Sequence, residues 1–263
     1  MAEQQIRFED GAAYEEMMGK WSRLAGDVFL NWLAPPAGWR WIDVGCGNGA
    51  FTELIVEKCA PAEIQGIDPS DGQLKYARTR HTAGIAQFKQ GDAMALPYPA
   101  ASFDAAVMAL VIFFVPDPAK GVAEMVRVVR PGGMVSAYAW DIIGGGFPLE
   151  PIRAELRAMG YKPPWPPSVA AAEMDNLRLL WTGAGLAGVE TREITVERTF
   201  ASFDEFWTAC INGSATMKPV LAAMPEADLR SLKERVGARL QGSVAGRVTY
   251  SGRANAIKGS VPK

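Results

Sequence analysis

The sequence predicts an α/β protein: a mostly parallel sheet of seven strands, doubly wound, with helices on both faces. Three observations carry this. Short strand-like runs alternate with segments of helical spacing through residues 34–140. Glycine and proline pairs mark the connections between them. The first run, Trp39 to Val44, passes into Gly45-Cys46-Gly47-Asn48-Gly49 and then into apolar residues at helical steps, Phe51, Leu54 and Ile55.

Taken in order, residues 11–33 read as one amphipathic helix carrying Tyr14, Met17, Met18, Trp21, Leu24, Val28 and Leu33. Pro35-Pro36-Ala37-Gly38 breaks the chain before the first strand. A helix follows the glycine turn to about Lys58. Glu63–Ile67 is a second strand, followed by Asp68-Pro69-Ser70, whose serine can cap the next helix. Ala86–Lys89 is a third strand and Ser102–Ala109 a fourth, with the apolar run continuing to Val115 and read as buried strand. Pro116-Asp117-Pro118 opens a helix that Arg130-Pro131-Gly132-Gly133 stops, and Met134–Trp140 is the fifth strand.

The pattern then degrades. Residues 141–167 hold a triple glycine and Pro163-Pro164-Trp165-Pro166-Pro167, and read as a loop rather than a βα unit. Met174–Ala184 is a helix, Gly188–Phe200 a sixth strand, Ser202–Leu240 helical in at least two pieces, and Arg247–Ile257 a last strand. The expectation is one domain, with a core over about 34–140, 186–200 and 246–258. Covering segments lie at about 11–33, 141–185 and 201–245.

Bulk properties narrow the function. Of 263 residues 49% are apolar and 21% charged, and the net charge of −2 supplies no field to draw nucleic acid or anionic membrane. The cysteines, Cys46, Cys59 and Cys210, are odd in number and lack metal-ligand spacing, which fits a reducing compartment. The first ten residues are polar, and no run is long enough to span a bilayer. A cytoplasmic protein is expected, with no nucleic-acid partner.

The glycine turn fits two ligand types. Gly45-x-Gly47-x-x-Ala50 with Asp68 downstream satisfies a dinucleotide fingerprint. Asp43 argues the other way: an acid two residues before the first glycine repels a pyrophosphate and suits an ammonium or sulfonium. Gly91-Asp92-Ala93 adds an acid after the third strand that can accept from an adenine amino group. With no basic residue beside the turn to compensate these acids, the pattern points away from phosphate.

These residues resemble the class I S-adenosylmethionine-dependent methyltransferases, of the small-molecule type related to the ubiquinone and menaquinone C-methyltransferases. The resemblance rests on five blocks in order: Ile42 to Gly49, Gly66-Ile67-Asp68-Pro69-Ser70, Gly91 to Tyr98, Phe103-Asp104, and Val129 to Gly133. It covers about residues 38–140. It implies a Rossmann-like sheet with an antiparallel last strand, and a lid from the N-terminal helix and the insertions after strands five and six. It implies S-adenosyl-L-methionine as cofactor and S-adenosyl-L-homocysteine as product. Gly45, Cys46, Gly47 and Gly49 would line its methionine part, with Asp43 orienting the amino group. Asp68 would accept from both ribose hydroxyls. Pro69 and Gln73 would border the adenine, and Gly91, Asp92 and Ala93 would meet its edge. Ala109, Leu110 and Val111 would face the methionine chain, and Tyr14, Trp21 and Ser22 would close from the N-terminal helix.

Methyl transfer from a sulfonium needs positioning and desolvation more than a base. The sequence offers few bases. His81 sits in a polar stretch, and the polar candidates near the strand ends are Tyr14, Tyr138 and Asp141. No His, Asp or Glu cluster implies a metal. Phe113, Phe114 and Trp140 are the best acceptor-pocket candidates. The covering segments carry further aromatics, Phe147, Tyr161, Trp165, Phe200, Phe203, Phe206 and Trp207, which can line that pocket or form a small core of their own. The acceptor is expected to be small and apolar or aromatic. A non-catalytic cofactor-binding module and a nicotinamide-dependent oxidoreductase remain as alternatives.

Overall fold

The computed structural model of the chain describes residues 15–82, 84–212, 217–240 and 246–263. Seven strands form one sheet: β1 (Arg40–Val44), β2 (Glu63–Asp68), β3 (Ala86–Gln90), β4 (Phe103–Ala109), β5 (Val129–Trp140), β6 (Ala187–Phe200) and β7 (Val248–Ser260). Their order is β3-β2-β1-β4-β5-β7-β6. β1 to β5 pair in parallel, whereas β7 is antiparallel to both β5 and β6. The chain reverses direction across the sheet beside β1, so the carboxyl ends of β1 and β4 form the topological switch point where ligands bind in such sheets.

A π-helical turn at Glu15–Gly19 leads into α1 (Lys20–Leu33), which packs against α2 (Ala50–Cys59) and reaches β6 and β7. α3 (Asp71–Ala77) begins at Ser70, whose hydroxyl caps the Gln73 amide. α4 (Pro118–Val128) and α6 (Met174–Gly183) pack on each other. Beneath α1 and α2, Tyr138 of β5 is fully buried with its ring 4.7 Å from Phe29 and 5.4 Å from Phe51. The remaining helices are α5 (Glu150–Ala158), α7 (Phe203–Asn212), α8 (Lys218–Ala222) and α9 (Glu226–Leu240).

Four expectations change. The N-terminal segment is two helices of different pitch, and Tyr14 lies outside the described residues. The apolar run through Val115 is not continuous strand. β4 ends at Ala109, Leu110 takes a left-handed φ of 63°, and Ile112–Phe114 is a short 3-10 helix. β5 starts at Val129, ahead of the Pro-Gly-Gly, with its register shifted at the edge of β4. Finally, α5 lies inside the stretch read as loop, with Pro151 in its first turn, where the missing N–H costs nothing.

Two of the five motif blocks build the opposite edge of the sheet. Asp104 accepts the Arg40 amide at 2.8 Å and pairs with Arg130 at 2.5 Å, which ties β1, β4 and β5 together at their amino ends.

Candidate cofactor site

The site begins at the carboxyl end of β1, where Gly45, Gly47 and Gly49 all take left-handed φ, at 78°, 53° and 78°. The first two do different work. A Cβ on Gly45 would come within 2.4 Å of the Val111 side chain, so this glycine lets the turn pack under the loop after β4. A Cβ on Gly47 would meet nothing nearer than Gln73 Oε1 at 4.0 Å. Space above Gly47 is open, and its backbone is presented to whatever enters.

Asp68, at the end of β2, fixes this turn. Its Oδ2 accepts the Gly47 amide at 2.9 Å and its Oδ1 the Ser70 amide at 2.8 Å. Burial raises its pKa above the usual carboxylate value, and those two amides pull it back. Each oxygen keeps lone-pair capacity for a hydroxyl donor. Around it, Gln73 is buried, Pro69 and Asp92 are exposed, and Gly91 and Ala93 are half-buried. Asp92 accepts the Met94 amide at 2.8 Å, a local turn that leaves its other oxygen toward solvent.

Asp43 is fully buried. Its Oδ2 accepts the Thr52 hydroxyl at 2.6 Å, while Oδ1 has no hydrogen-bond partner among the described residues. Burial pushes its pKa up to about 7 against the single Thr52 hydrogen bond, and the Asp68 charge adds to the rise. An orphaned carboxylate oxygen under a glycine turn calls for a positive group. The buried Cys46 thiol is also pushed well up, first by burial and then by Asp43 and Asp68, so it stays a neutral thiol.

Past β4, Ala109 is half-buried and Leu110 buried, with its left-handed backbone held by a 2.7 Å hydrogen bond from its amide to the Tyr138 carbonyl. Val111 faces Gly45. Phe113 is buried, with its ring 4.7 Å from that of the half-buried Phe114. Trp21 and Trp140, assigned to different ligands from the sequence, meet edge to face at 6.3 Å and are both buried. Ser22 is buried and its hydroxyl donates back to Met18, one helical turn earlier.

Sequence reasoning missed Arg80. The turn does have a basic residue beside it: Arg80 Nε donates to the Asn48 carbonyl at 2.6 Å. Its charge is taken by Glu53 at 2.8 Å and by Glu15. Glu15 also accepts from Asn48 Nδ2 at 2.9 Å. The guanidinium therefore offers no free charge to a phosphate. It fastens the N-terminal helical turn to the glycine turn, and only the tertiary fold brings it there.

Two of the base candidates, Tyr138 and Asp141, are engaged elsewhere, and Tyr14 lies outside the described residues. Tyr138 donates to the Ser22 carbonyl at 3.3 Å within the core. Asp141 is paired with Arg253 at 2.5 Å and accepts the Gly144 amide. His81 is exposed. Among the described residues no cluster of metal-ligating side chains exists, and no helix is long and apolar enough to cross a membrane.

The sheet order, the antiparallel β7 and the glycine turn above a buried acid define the class I methyltransferase fold. Residues 42–137 match the family model described as a methyltransferase domain. A demethylmenaquinone methyltransferase of Desulfitobacterium hafniense is 40% identical over 104 residues, 37% of this chain and 41% of that protein. A trans-aconitate 2-methyltransferase of Methylobacterium nodulans is 33% identical over 174 residues, 65% of this chain and 62% of that one. The Haemonchus contortus phosphoethanolamine N-methyltransferase 2, solved in complex with S-adenosyl-L-methionine, shares the fold at a TM-score of 0.58 and 18% identity, over 95% of this chain and 56% of that one. Residues 42–137 are thus a methyltransferase domain, set in a sheet with the class I methyltransferase fold. The chain spans from 41% to 62% of the length of the two curated relatives.

Proposed function

We propose that this chain transfers a methyl group from S-adenosyl-L-methionine to a small organic acceptor. The observation that carries the reading is Asp43: a fully buried carboxylate with one oxygen unpartnered, below a turn of three left-handed glycines. An ammonium, directly or through one water, supplies the missing charge. The residues fit the rest of the cofactor. Asp68 has the capacity to take ribose hydroxyls while holding the turn, and Asp92 is free to meet an adenine edge beside Ala93. Pro69 and Gln73 border that side, and Ala109 to Val111 face the methionine chain. The bound sulfonium supplies an electrophilic methyl group.

The protein's own contribution is then positioning and exclusion of water. Phe113, Phe114 and Trp140 stand at the ends of β4 and β5, where the acceptor would lie. α1, the segment 141–185 and the helices of 201–245 act as the lid over those ends, on one domain with the sheet. Tyr138 and Asp141 are occupied in structural bonds, which favours catalysis without an indispensable base. The names of the relatives span a demethylmenaquinone and trans-aconitate, so the acceptor atom is left to experiment.

Titration calorimetry with S-adenosylhomocysteine, followed by a labelled-methyl assay against demethylated naphthoquinols and small carboxylic acids including trans-aconitate, tests the reading. Binding together with transfer supports it. Binding of a nicotinamide dinucleotide in place of S-adenosylhomocysteine defeats it. Cofactor binding with no transfer to any acceptor leaves a binding module in its place.

A further inference from the structure

The covering segment contains a buried cation that the cofactor site does not use. Arg153, on α5, is only 2% exposed. Its Nη1 donates to the Pro164 carbonyl at 3.0 Å, and the Trp165 ring covers the guanidinium at 4.7 Å. Among the described residues its Nε and Nη2 have no hydrogen-bond partner. Those two atoms are not an arbitrary pair. They form the side-on edge of the guanidinium, the edge that donates two parallel hydrogen bonds to one carboxylate. Among the described residues no carboxylate pairs with Arg153. Glu150, one turn away on the same helix, gives Oε1 to Arg157; its Oε2 is buried and, among the described residues, bonds to neither arginine. Burial lowers the Arg153 pKa to about 10, opposed by the Glu150 charge, so at neutral pH it remains a cation.

A buried unpaired charge is costly, and proteins keep one where a partner arrives. The position favours a ligand as that partner. Pro164 and Trp165 belong to a strap that docks on the end of β4: Ser168 donates its amide to the Phe113 carbonyl at 3.0 Å and its hydroxyl to Val115 at 2.7 Å. Just before α5, Pro148 meets Trp140 and Trp21 around Gly252. Both of those indole N–H groups are also buried without acceptors among the described residues. The junction between lid and strand ends is thus supplied with donors rather than being purely apolar.

We infer that Arg153 is the specificity residue of the acceptor pocket, and that the acceptor carries a carboxylate which Nε and Nη2 grip side-on beneath Trp165. The inference rests on the methyltransferase reading of the neighbouring site. It deepens that reading by naming the acceptor's chemical class.

The test uses the full chain saturated with S-adenosylhomocysteine and titrates benzoate, 4-hydroxybenzoate and citrate, each against its uncharged amide. At least one acid is expected to bind about 10- to 100-fold tighter than its amide, the range of a charge-assisted hydrogen-bonded pair. Arg153→Gln is expected to abolish that preference. Arg153→Lys keeps the charge without the fork, and is expected to retain the fold and lose about tenfold of the preference. No acid preference in the wild type overturns the inference, as does a full preference surviving in either variant. S-adenosylhomocysteine affinity, measured first in each protein, reads the cofactor site separately: its loss in the wild type sinks the methyltransferase reading, and its persistence with no acid preference sinks only this one.

Discussion

The glycine turn at 45–49 and the covering segment around α5 sit at the same end of the sheet and are built by opposite means. The turn is shaped by backbone: three left-handed residues, a carboxylate that takes amides, and open space above Gly47. The covering segment is shaped by side chains: Phe200 against Phe206 at 5.3 Å, Phe203 against Phe206, Tyr161 on Asp228, and Arg153 under Trp165. The difference decides what substitution does. A backbone site tolerates almost no change of residue type. A packed segment tolerates many hydrophobic exchanges and holds its specificity in a few polar groups.

Substitutions within the turn give the largest expected effect. Gly45→Ala places a Cβ against Val111 in a left-handed backbone, and is expected to cost roughly 3 kcal/mol of stability, read by denaturant unfolding. Gly47→Ala meets open space and is expected to cost only about 1 kcal/mol for its backbone, yet to abolish detectable S-adenosylhomocysteine binding. Equal losses of stability in the two would erase the distinction between a packing glycine and a ligand-facing one.

Next in size is Asp43. Its folded pKa, about 7, lies above the ordinary carboxylate value of 3.8. Folding therefore favours its protonated form. The stability this contributes is complete below about pH 4 and is lost as pH rises through about 7. Cofactor binding runs the other way, because an ammonium prefers the ionised acid. S-adenosylhomocysteine affinity is expected to rise as pH increases through neutrality in the wild type. In Asp43→Asn it is expected to be flat and about tenfold weaker at neutral pH. A pH profile unchanged by that substitution removes Asp43 from the site.

Arg80→Ala probes how the glycine turn is fastened to the N-terminal helical turn, since Arg80 joins Glu15 to Asn48. It strips a partly buried pair of its cation and is expected to cost about 2 kcal/mol. Cofactor affinity is expected to fall less than in the glycine variants, because the turn keeps its Asp68 bonds. A drop in affinity as large as that of Gly47→Ala would make the N-terminal turn part of the cradle itself.

The same contrast explains what could be read from the chain alone. Gly45, Gly47 and Asp68 were legible because backbone geometry restricts residue choice. The strands themselves were legible from apolar runs bounded by glycine and proline, but not the end of β4 at Ala109 or the start of β5 at Val129. α5 was not, because the glycines before it and the prolines after it mask a nine-residue helix. Leu110's left-handed φ left no mark, since leucine is no signal for that conformation. Arg80 and Arg153 are ordinary helix-surface residue types in the sequence. Only the tertiary fold makes one a fastener and the other an unmatched cation.

β7 pairs with β5 on one side and β6 on the other, although β6 precedes it in the chain. During synthesis, β6 therefore leaves the ribosome with no neighbour to bond to, and the outer edge of β5 stays open, until residues 248–260 follow. A nascent chain halted before Val248 presents two unpaired edges at once, one of them the fully buried stretch from Val135 to Trp140 apart from its neighbour β4. Such a chain is a template for strand addition by other copies. A released chain truncated before Val248 should for that reason show a raised aggregated fraction, while one truncated after Ser260 should not.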